Sequence, residues 1–234
     1  MKAKLTSFDN IVEAEIIKRV TKFSVLVEDH GEQKLALLRN TGRLNDLVFE
    51  GAKALCALRG KGKTTCELLG VLISDDLAAL VDTKVQMMGF EEAVKRKLIP
   101  WIKQWEIVSK EKSVDDLRID YYVKRSYEEG FVELKSAVKF YEGCAMYPDC
   151  PTKRGRKHLE ALCELKKRGF RSLVVFVAAH PLAKRFKPDE ASDPMFAKVL
   201  KQAYMCGVEV YALKIVLNRK GEVLLIDPDL PVDL

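Results

Sequence analysis

Phe131-Val132-Glu133-Leu134-Lys135-Ser136 is the stretch that decides the fold of this chain, and Arg118-Ile119-Asp120-Tyr121-Tyr122-Val123 precedes it. Both stretches read as β-strands because apolar, β-branched and aromatic residues dominate them. Side chains of a strand alternate between its two faces, so Glu133 and Lys135 point to the same face. A hairpin through residues 128–130 would place Asp120 beside them, so that two carboxylates and one amine share one face of a sheet.

This set of side chains is typical of a site for a hard divalent cation. Mg²⁺ or Mn²⁺ prefers oxygen ligands, and Asp120 and Glu133 with the backbone carbonyl of Leu134 and several waters would suffice. The cation would polarise a phosphoryl group and help to generate hydroxide, while Lys135 would orient the water or offset developing charge. The pattern therefore predicts a metal-dependent phosphodiesterase site. The alternative is an exposed sheet face with a Glu–Lys pair, since this spacing often occurs by chance.

Composition places the chain among ordinary globular proteins. It has 234 residues, of which 48% are apolar and 32% are charged. No apolar run approaches the roughly 20 residues that span a bilayer, and no hydrophobic signal region follows the basic N-terminus. We therefore expect a cytoplasmic protein without a membrane segment. The sequence leaves the oligomeric state open, and a homodimer is among the states it allows.

The positive charge is concentrated in one segment. The formal net charge is +6, and the segment between Lys153 and Arg171 holds eight Lys or Arg residues against two Glu. That segment carries the whole excess, and it lies directly downstream of the carboxylate cluster. Such a concentration favours a polyanionic partner, DNA above all, although a solvated helix face would have the same composition.

Six cysteines are present and none forms a Cys-x-x-Cys pair, which argues against a zinc site. Buried reduced thiols are the simplest interpretation. Disulfides between Cys56 and Cys66 or between Cys144 and Cys150 are the alternatives. Few Asn and Gln residues beside many Lys and Glu residues give the chain a thermophile-like composition, and intracellular disulfides are less rare in thermophiles.

The first part of the chain predicts an OB-type β-barrel, with a domain spanning residues 1–76. Five strand-like runs are separated by turn signals, and a short helix is expected at Leu44–Phe49 between the third and fourth runs. The runs are Ile11–Val20, Phe23–Val27, Leu35–Leu38, Ala54–Leu58 and Cys66–Ile73.

The second part, residues 77–234, predicts an α/β domain. A helix capped by Ser74 is expected to run towards Leu98, followed by three strands and a loop over Tyr141–Pro151. Thr152 would cap a helix that ends at Gly169, and the continuous apolar run at residues 171–179 suits a strand buried on both faces. A further helix and two strands complete the plan: helix, three-strand meander, helix, strand, helix, strand.

Several motifs in this order resemble the sugar fermentation stimulation protein A (SfsA) family over essentially the whole chain. They are Asn40-Thr41-Gly42, Arg118-Ile119-Asp120, Val132–Ser136, Tyr147-Pro148-Asp149, Thr152–Leu159, Val174–His180, Arg185-Phe186 and Gly207–Val210. The resemblance implies a two-domain protein, an OB fold followed by a PD-(D/E)xK nuclease-like domain, that binds DNA and has a metal site at Asp120, Glu133 and Lys135. The chain departs from the family pattern at Leu117, where Ser is usual, and at Arg39, where Pro is usual.

Two groups of residues are candidates for contact with nucleic acid. Arg154, Lys157 and His158 lie at the start of the helix after Thr152, and Arg154 and His158 share one face of it. In the first part, basic residues cluster near the predicted turns beside Asn40: Arg39, Arg43, Arg59, Lys61 and Lys63. Basic loops beside strands suit phosphate contacts, but solubilising charge, and for Asn40 a turn, are the simpler explanations.

The leading hypothesis is a DNA-binding protein with a Mg²⁺-dependent phosphodiesterase, nuclease-like site, in which Asp120, Glu133 and Lys135 carry the chemistry. One alternative is a non-catalytic DNA-binding regulator of sugar metabolism genes that keeps the nuclease-like fold. Another is a hydrolase of a small phosphorylated ligand. The three intact residues favour catalysis, because a binding protein has no chemical need for all of them.

Overall fold

The structure is a computed structural model that describes residues 2–59 and 64–234. The first six strands are β1 (Ala3–Ser7), β2 (Ile11–Thr21), β3 (Ser24–Asp29), β4 (Glu32–Leu37), β5 (Lys53–Leu58) and β6 (Cys66–Leu72). Strands β2 to β6 pair in the order β4-β3-β2-β5-β6, and β4 pairs back with β6. The five predicted strands therefore form a closed barrel, as expected for an OB fold.

The short helix predicted at residues 44–49 is wrong. These residues form consecutive turns, with one helix-like contact in which Val48 N donates to Leu44 O at 2.7 Å. Leu44 has a positive φ of 54°, which a regular α-helix does not allow. Leu44, Leu47 and Val48 are nevertheless buried in the hydrophobic core. The apolar spacing that suggested a helix therefore reflects core packing by residues of a turn.

The predicted start of the first helix is also wrong. Residues Leu77–Leu80 form strand β7, which pairs with β6 on one side, and α1 spans Thr83–Lys95. Asp82, not Ser74, is the N-cap, and its side chain accepts a hydrogen bond from Val85 N. A short apolar run is compatible with either a helix or a strand. Here the run forms a strand because it pairs with the edge of β6.

The second domain is built on a mixed sheet. After a one-turn 3₁₀ helix (Pro100–Ile102) its main strands are β8 (Glu106–Val114), β9 (Leu117–Arg125), β10 (Glu128–Ala137), β13 (Arg171–Ala178), β15 (Glu209–Asn218) and β16 (Glu222–Leu230). Strands β10, β13 and β15 are parallel neighbours, β8 and β9 extend the sheet beyond β10, and β7 joins β15 to the barrel. Strand β1 pairs with β16, so the first strand of the chain completes the sheet of the second domain.

A second small sheet takes in part of the segment, residues 141–151, that the sequence predicted as a loop. It consists of β11 (Lys139–Tyr141), β12 (Cys144–Tyr147) and β14 (Arg185–Pro188). Strand β12 pairs in parallel with β14, about 40 residues later in the chain. Such a distant pairing gives no local turn or periodicity signal, which is why the loop prediction failed.

The helices cover both faces of the main sheet. The remaining two are α2 (Lys153–Lys167), capped by Thr152 and followed by Gly169, and α3 (Pro194–Met205). In β13, Leu173, Val175 and Val177 pack in the core with α1 and the barrel, whereas Val174, Phe176 and Ala178 pack with α2 and α3. The strand is buried on both faces, as its continuous apolar run predicted.

Two further findings concern cysteines and membranes. All six cysteines are free thiols, so neither alternative disulfide is formed. Cys56 and Cys66 lie on neighbouring strands of the barrel and are fully buried. In the described part of the chain, no helix is both long and apolar enough to span a membrane.

The buried His180 should make folding sensitive to mild acid. Its ring stacks on Phe140 with centroids 4.3 Å apart, and its Nδ1 accepts a hydrogen bond from Leu182 N. Burial and the nearby charge of Lys214 lower the pKa of His180 to about 4. Between about pH 6.5 and 4, His180 is therefore protonated in the unfolded chain but remains neutral in the folded chain. The unfolding free energy falls as the pH falls through this window.

Replacing His180 with Gln should remove that component of the pH dependence. Between pH 7 and pH 5 we expect the wild type to lose about 2 kcal/mol more unfolding free energy than His180→Gln. Urea titrations at the two pH values measure this difference. His30→Gln is the control, because His30 is exposed in a turn of the barrel. Equal losses in wild type and His180→Gln would contradict the prediction.

Candidate active site

Asp120 and Glu133 meet where two antiparallel strands separate. The ladder between β9 and β10 ends at the pair Tyr121 and Val132, one residue before Asp120 and Glu133 would face each other. Their side chains take over the hydrogen bonds of the missing ladder. Leu134 N donates to Asp120 Oδ2 at 2.7 Å, and Asp120 N donates to Glu133 Oε2 at 3.3 Å. The splayed strands thereby hold two carboxylates together.

The turn that connects these strands differs from the prediction. Residues 128–130 belong to β10 and pair with β9, and the turn lies at Ser126 and Tyr127. Asp120 still lies beside Glu133, because β9 and β10 remain antiparallel neighbours and their pairing extends to Tyr121 and Val132.

Lys135 and His158 both contact the same oxygen of Glu133. Lys135 Nζ pairs with Glu133 Oε1, and His158 Nδ1 forms a hydrogen bond with that atom. His158 comes from α2, and its Nε2 lies 3.2 Å from Arg154 Nε. Since Arg154 Nε can only donate, Nε2 accepts and Nδ1 carries the proton that is donated to Glu133. A chain of contacts thus leads from Arg154, exposed at the helix surface, to the buried Glu133 carboxylate.

Burial and charge set different protonation tendencies for the two carboxyl groups. Glu133 is 2% exposed, whereas Asp120 is half-buried. Burial, together with the negative charge of Glu133, raises the pKa of Asp120 to about 6. Burial also opposes ionisation of Glu133, but Lys135 and His158 hold the pKa of Glu133 below its usual value. At Asp120, burial and the charge of Glu133 outweigh the compensation from Lys135 and His158, whereas at Glu133 the compensation prevails.

The donor set fits a hard cation that retains water ligands. Within residues 2–59 and 64–234, no group of three or more His, Cys, Asp and Glu side chains is arranged to hold a metal. Two adjacent carboxylates remain, and a divalent cation between them would relieve their mutual repulsion, which adds to burial in raising the pKa of Asp120. Mg²⁺ commonly binds through one or two carboxylates, whereas a structural zinc site needs four protein ligands.

A cleft between the two domains contains the site, and it is lined by Asp120, Glu133, Lys135 and His158. Its volume is about 950 Å³. The barrel contributes the β2–β3 turn at Lys22 and Phe23 and the segment after β4, and the second domain contributes the loop after β12 and the start of α2. Leu44 N donates to Asp149 Oδ2 at 3.0 Å, so the two domains touch at the edge of the cleft. A Cβ on Gly42 would lie 2.4 Å from the same oxygen, which explains the glycine at this close approach.

The predicted contacts on α2 fall into two groups. Arg154 and Lys157 are exposed near the start of the helix, and Arg154 lines the cleft together with the exposed Lys153. His158 is only 2% exposed and belongs to the carboxylate cluster, so it is not placed for a surface phosphate contact. The sequence could not distinguish the two groups. A histidine next to an apolar stripe does not indicate whether a carboxylate from another element will face it.

Arg39 and Asn40 have protein partners at the domain junction. The Arg39 guanidinium pairs with Glu67 at 2.5 Å and with the fully buried Asp82 at 3.1 Å. Asn40 Nδ2 donates to Val81 O at 3.1 Å and to Ser136 Oγ at 3.4 Å. These contacts indicate that both residues hold the two domains together.

Arg59 also has a protein partner, whereas two neighbouring candidates cannot be placed. Arg59 Nε lies 3.2 Å from Glu67 Oε1. Lys61 and Lys63 lie outside the described residues. Nucleic-acid contact by any residue of this basic group stays a prediction.

Arg39→Met should lower stability more than it lowers affinity for DNA. The substitution leaves the buried Asp82 carboxylate without its cationic partner, and we expect a loss of about 2 kcal/mol of unfolding free energy, below the range for a fully buried pair because Arg39 is partly exposed. Chemical denaturation measures the loss. Arg43→Met is the control, because Arg43 lies in the same segment and is exposed. A stable Arg39→Met protein with strongly weakened DNA binding would reverse the assignment.

Sequence reasoning missed the contribution of the β2–β3 turn. Lys22 and Phe23 line the cleft, although the sequence predicts Phe23 as the first residue of a strand, which begins at Ser24 in the structure. The signal that was available is an aromatic residue next to a lysine between two alternating strands. Such a pair gives no indication of which partner faces it, because the second domain lies about 100 residues away in sequence.

Comparison with known protein families agrees with the two-domain architecture. Residues 17–80 match the profile of the SfsA N-terminal OB domain, and residues 84–221 match the sugar fermentation stimulation protein RE domain. The match confirms an OB barrel followed by a restriction-endonuclease-like α/β domain.

Individual relatives are similar over nearly the whole chain. A sugar fermentation stimulation protein homolog from Archaeoglobus fulgidus is 41% identical over 98% of this chain and 99% of its own length. A Pyrococcus furiosus homolog is 36% identical over 94% of this chain and 96% of its own length. A solved structure described as Pyrococcus furiosus SfsA in complex with Ca²⁺ superposes with a TM-score of 0.95 and 35% identity, covering 99% of this chain and 100% of that one.

Proposed function

The chain belongs to the SfsA family, with an OB domain and an RE domain, and from this premise we propose that it is a DNA-binding, Mg²⁺- or Mn²⁺-dependent phosphodiesterase. One observation carries the proposal. Asp120 and Glu133 form an adjacent pair of carboxylates with Lys135 at the floor of a cleft that both domains line. An OB surface and a basic helix start beside such a pair suit a polyanionic substrate with a scissile phosphate.

Asp120 and Glu133 would hold the cation. The Ca²⁺ in the related Pyrococcus furiosus structure supports binding of a divalent metal by this family. When bound, the cation would polarise a phosphoryl oxygen and lower the pKa of a bound water. The buried position of Glu133 keeps bulk water from competing for it, which strengthens electrostatic interactions at the floor of the cleft.

The other residues of the site would orient the Glu133 carboxylate, compensate negative charge and contact the substrate. Lys135 pairs with Glu133 and lines the cleft, where its ammonium would face the phosphate or the attacking water. Its role would be to offset the negative charge that develops on the phosphoryl group. His158 donates to Glu133 and fixes the orientation of that carboxylate, while Arg154 at the cleft wall would contact a neighbouring phosphate.

Cleavage assays test the proposal directly. The protein is incubated with single- and double-stranded DNA and RNA in Mg²⁺, Mn²⁺ or EDTA, and the products are resolved on denaturing gels. We expect cleavage of DNA with either metal and none in EDTA. Salt-dependent DNA binding without cleavage in any metal would instead support the non-catalytic regulator.

A further inference from the structure

The tip of the β2–β3 hairpin presents an aromatic side chain to the cleft. Phe23 is 54% exposed and lines the cleft, and Lys22 Nζ lies 5.9 Å from the centre of its ring. Most large apolar residues of the barrel are buried in its core. Phe23 therefore offers a largely exposed aromatic ring on the wall of a charged cleft, beside a cation.

This tip is held in a fixed position. The Arg19 guanidinium donates to Lys22 O at 3.0 Å and to Gly42 O at 2.8 Å, and Leu38 N donates to Phe23 O at 2.9 Å. The segment containing Gly42 is bonded in turn to Asp149 of the second domain through Leu44. Phe23 is therefore pre-positioned relative to the carboxylate pair, and binding a flat group on it would cost little ordering entropy.

The carboxylate pair lies deep between the two domains. The Glu133 and Lys135 side chains are 3% and 9% exposed, and the rims of the cleft come from the barrel tip and from the start of α2. Base pairing makes a duplex stiff and keeps its bases stacked inside. A single strand bends readily, and its unpaired bases are free to stack on aromatic side chains.

Exposed cations lie on both rims. Lys22 is on the barrel side, and Lys153 and Arg154 are on the α2 side. A strand that crosses the cleft would meet a cation at each rim, an aromatic face at one wall and the carboxylate pair at the floor. This combination of a basic groove with a stacking platform is the usual way in which OB folds hold single strands.

Resting on the proposed function, we propose that the cleft receives single-stranded DNA, with one base stacked on Phe23 and the adjoining phosphates between Lys22 and Arg154. The carboxylate pair then faces the backbone of an unpaired strand. The inference names a substrate class and a specificity-determining residue outside the carboxylate cluster.

Fluorescence anisotropy in EDTA tests the inference. The probes are a labelled 12-nucleotide single strand and the blunt duplex of the same sequence. We expect the single strand to bind at least tenfold more tightly than the duplex, and Phe23→Ala to weaken single-strand binding about tenfold. Phe23→Trp should retain the affinity, because indole offers an equal or larger stacking face.

Phe49→Ala is the matched control, because Phe49 is 53% exposed in the same domain and does not line the cleft. It should leave the affinity for both probes unchanged. Duplex binding as tight as single-strand binding, with no effect of Phe23→Ala, would overturn the inference, and duplex cleavage in Mg²⁺ would show that the proposed function still holds. If neither probe binds and neither is cleaved, the proposed function fails as well.

Discussion

Asp120→Asn is expected to reduce metal-dependent cleavage of DNA on the order of 10³-fold, the scale typical for removal of one preorganised charge-stabilising group. Asn keeps the shape of Asp and can still accept the hydrogen bond from Leu134 N through its amide oxygen. It removes the negative charge that would hold the cation. Initial rates measured across a Mg²⁺ titration give the effect, because a weakened site also needs more metal.

Stability in the absence of metal separates this result from misfolding. Burial and the charge of Glu133 raise the pKa of Asp120, so replacing the carboxyl group with a neutral amide should leave the metal-free protein at least as stable as the wild type. Ca²⁺ should raise the unfolding temperature of the wild type and have little effect on Asp120→Asn.

A matched control exists in the same hairpin of the second domain. Asp115 is exposed between β8 and β9 and pairs with Arg168 at the surface. Asp115→Asn should retain both cleavage and the Ca²⁺ effect. Cleavage that persists at the wild-type rate in Asp120→Asn would place the metal elsewhere.

The core of the site was predictable because it depends on local rules. Strand alternation places Glu133 and Lys135 on one face, and an antiparallel neighbour brings Asp120 alongside them. The prediction survived an error in the turn, since moving the turn from residues 128–130 to Ser126 and Tyr127 leaves the two strands paired. The ladder ends just before Asp120, and no sequence rule indicates that end.

Elements that depend on distant partners were not predictable. Residues 77–80 have helical spacing, yet they form a strand because they join β6 to β15, whose residues lie about 140 positions later. The parallel pairing of β12 with β14 has the same character. Local periodicity indicates which side chains will be buried. The backbone conformation of such a segment depends also on whether a strand from elsewhere in the chain is available for pairing.

Charged residues posed the same difficulty. Arg39 and Arg154 look alike in sequence, as basic residues near predicted turns or helix starts. Arg39 faces the buried Asp82, while Arg154 reaches the cleft. The partner that distinguishes them comes from another element, so composition could predict a polyanion-binding protein without assigning individual contacts.

Lys135→Met should destabilise the metal-free protein by roughly 3–5 kcal/mol, the range observed when one partner of a buried ion pair is removed. Met preserves the length and the apolar stem of Lys but not its ammonium. Asp120 and Glu133 would then face each other in a buried site without the ammonium, and would keep the hydrogen bond from His158 and the two backbone hydrogen bonds from Asp120 N and Leu134 N. Urea denaturation in EDTA measures the loss.

A divalent cation should rescue the variant selectively. Because the cation would replace the lost positive charge between the carboxylates, saturating Ca²⁺ should stabilise Lys135→Met more than it stabilises the wild type. Cleavage in Mg²⁺ should remain low after this rescue, because the ammonium that would offset charge on the phosphoryl group is absent. Restored folding together with lost cleavage is the combination that separates a chemical role of Lys135 from a structural one.

Lys157→Met is the control, since Lys157 is exposed on α2. It should change neither the stability in EDTA nor the response to Ca²⁺. Equal stability of Lys135→Met and wild type in EDTA, with equal Ca²⁺ responses, would mean that Lys135 does not compensate the carboxylate pair. Since the expected loss arises from the same two carboxylates that would hold the cation, the Ca²⁺ response of this one variant links the electrostatics of the fold to the proposed metal site.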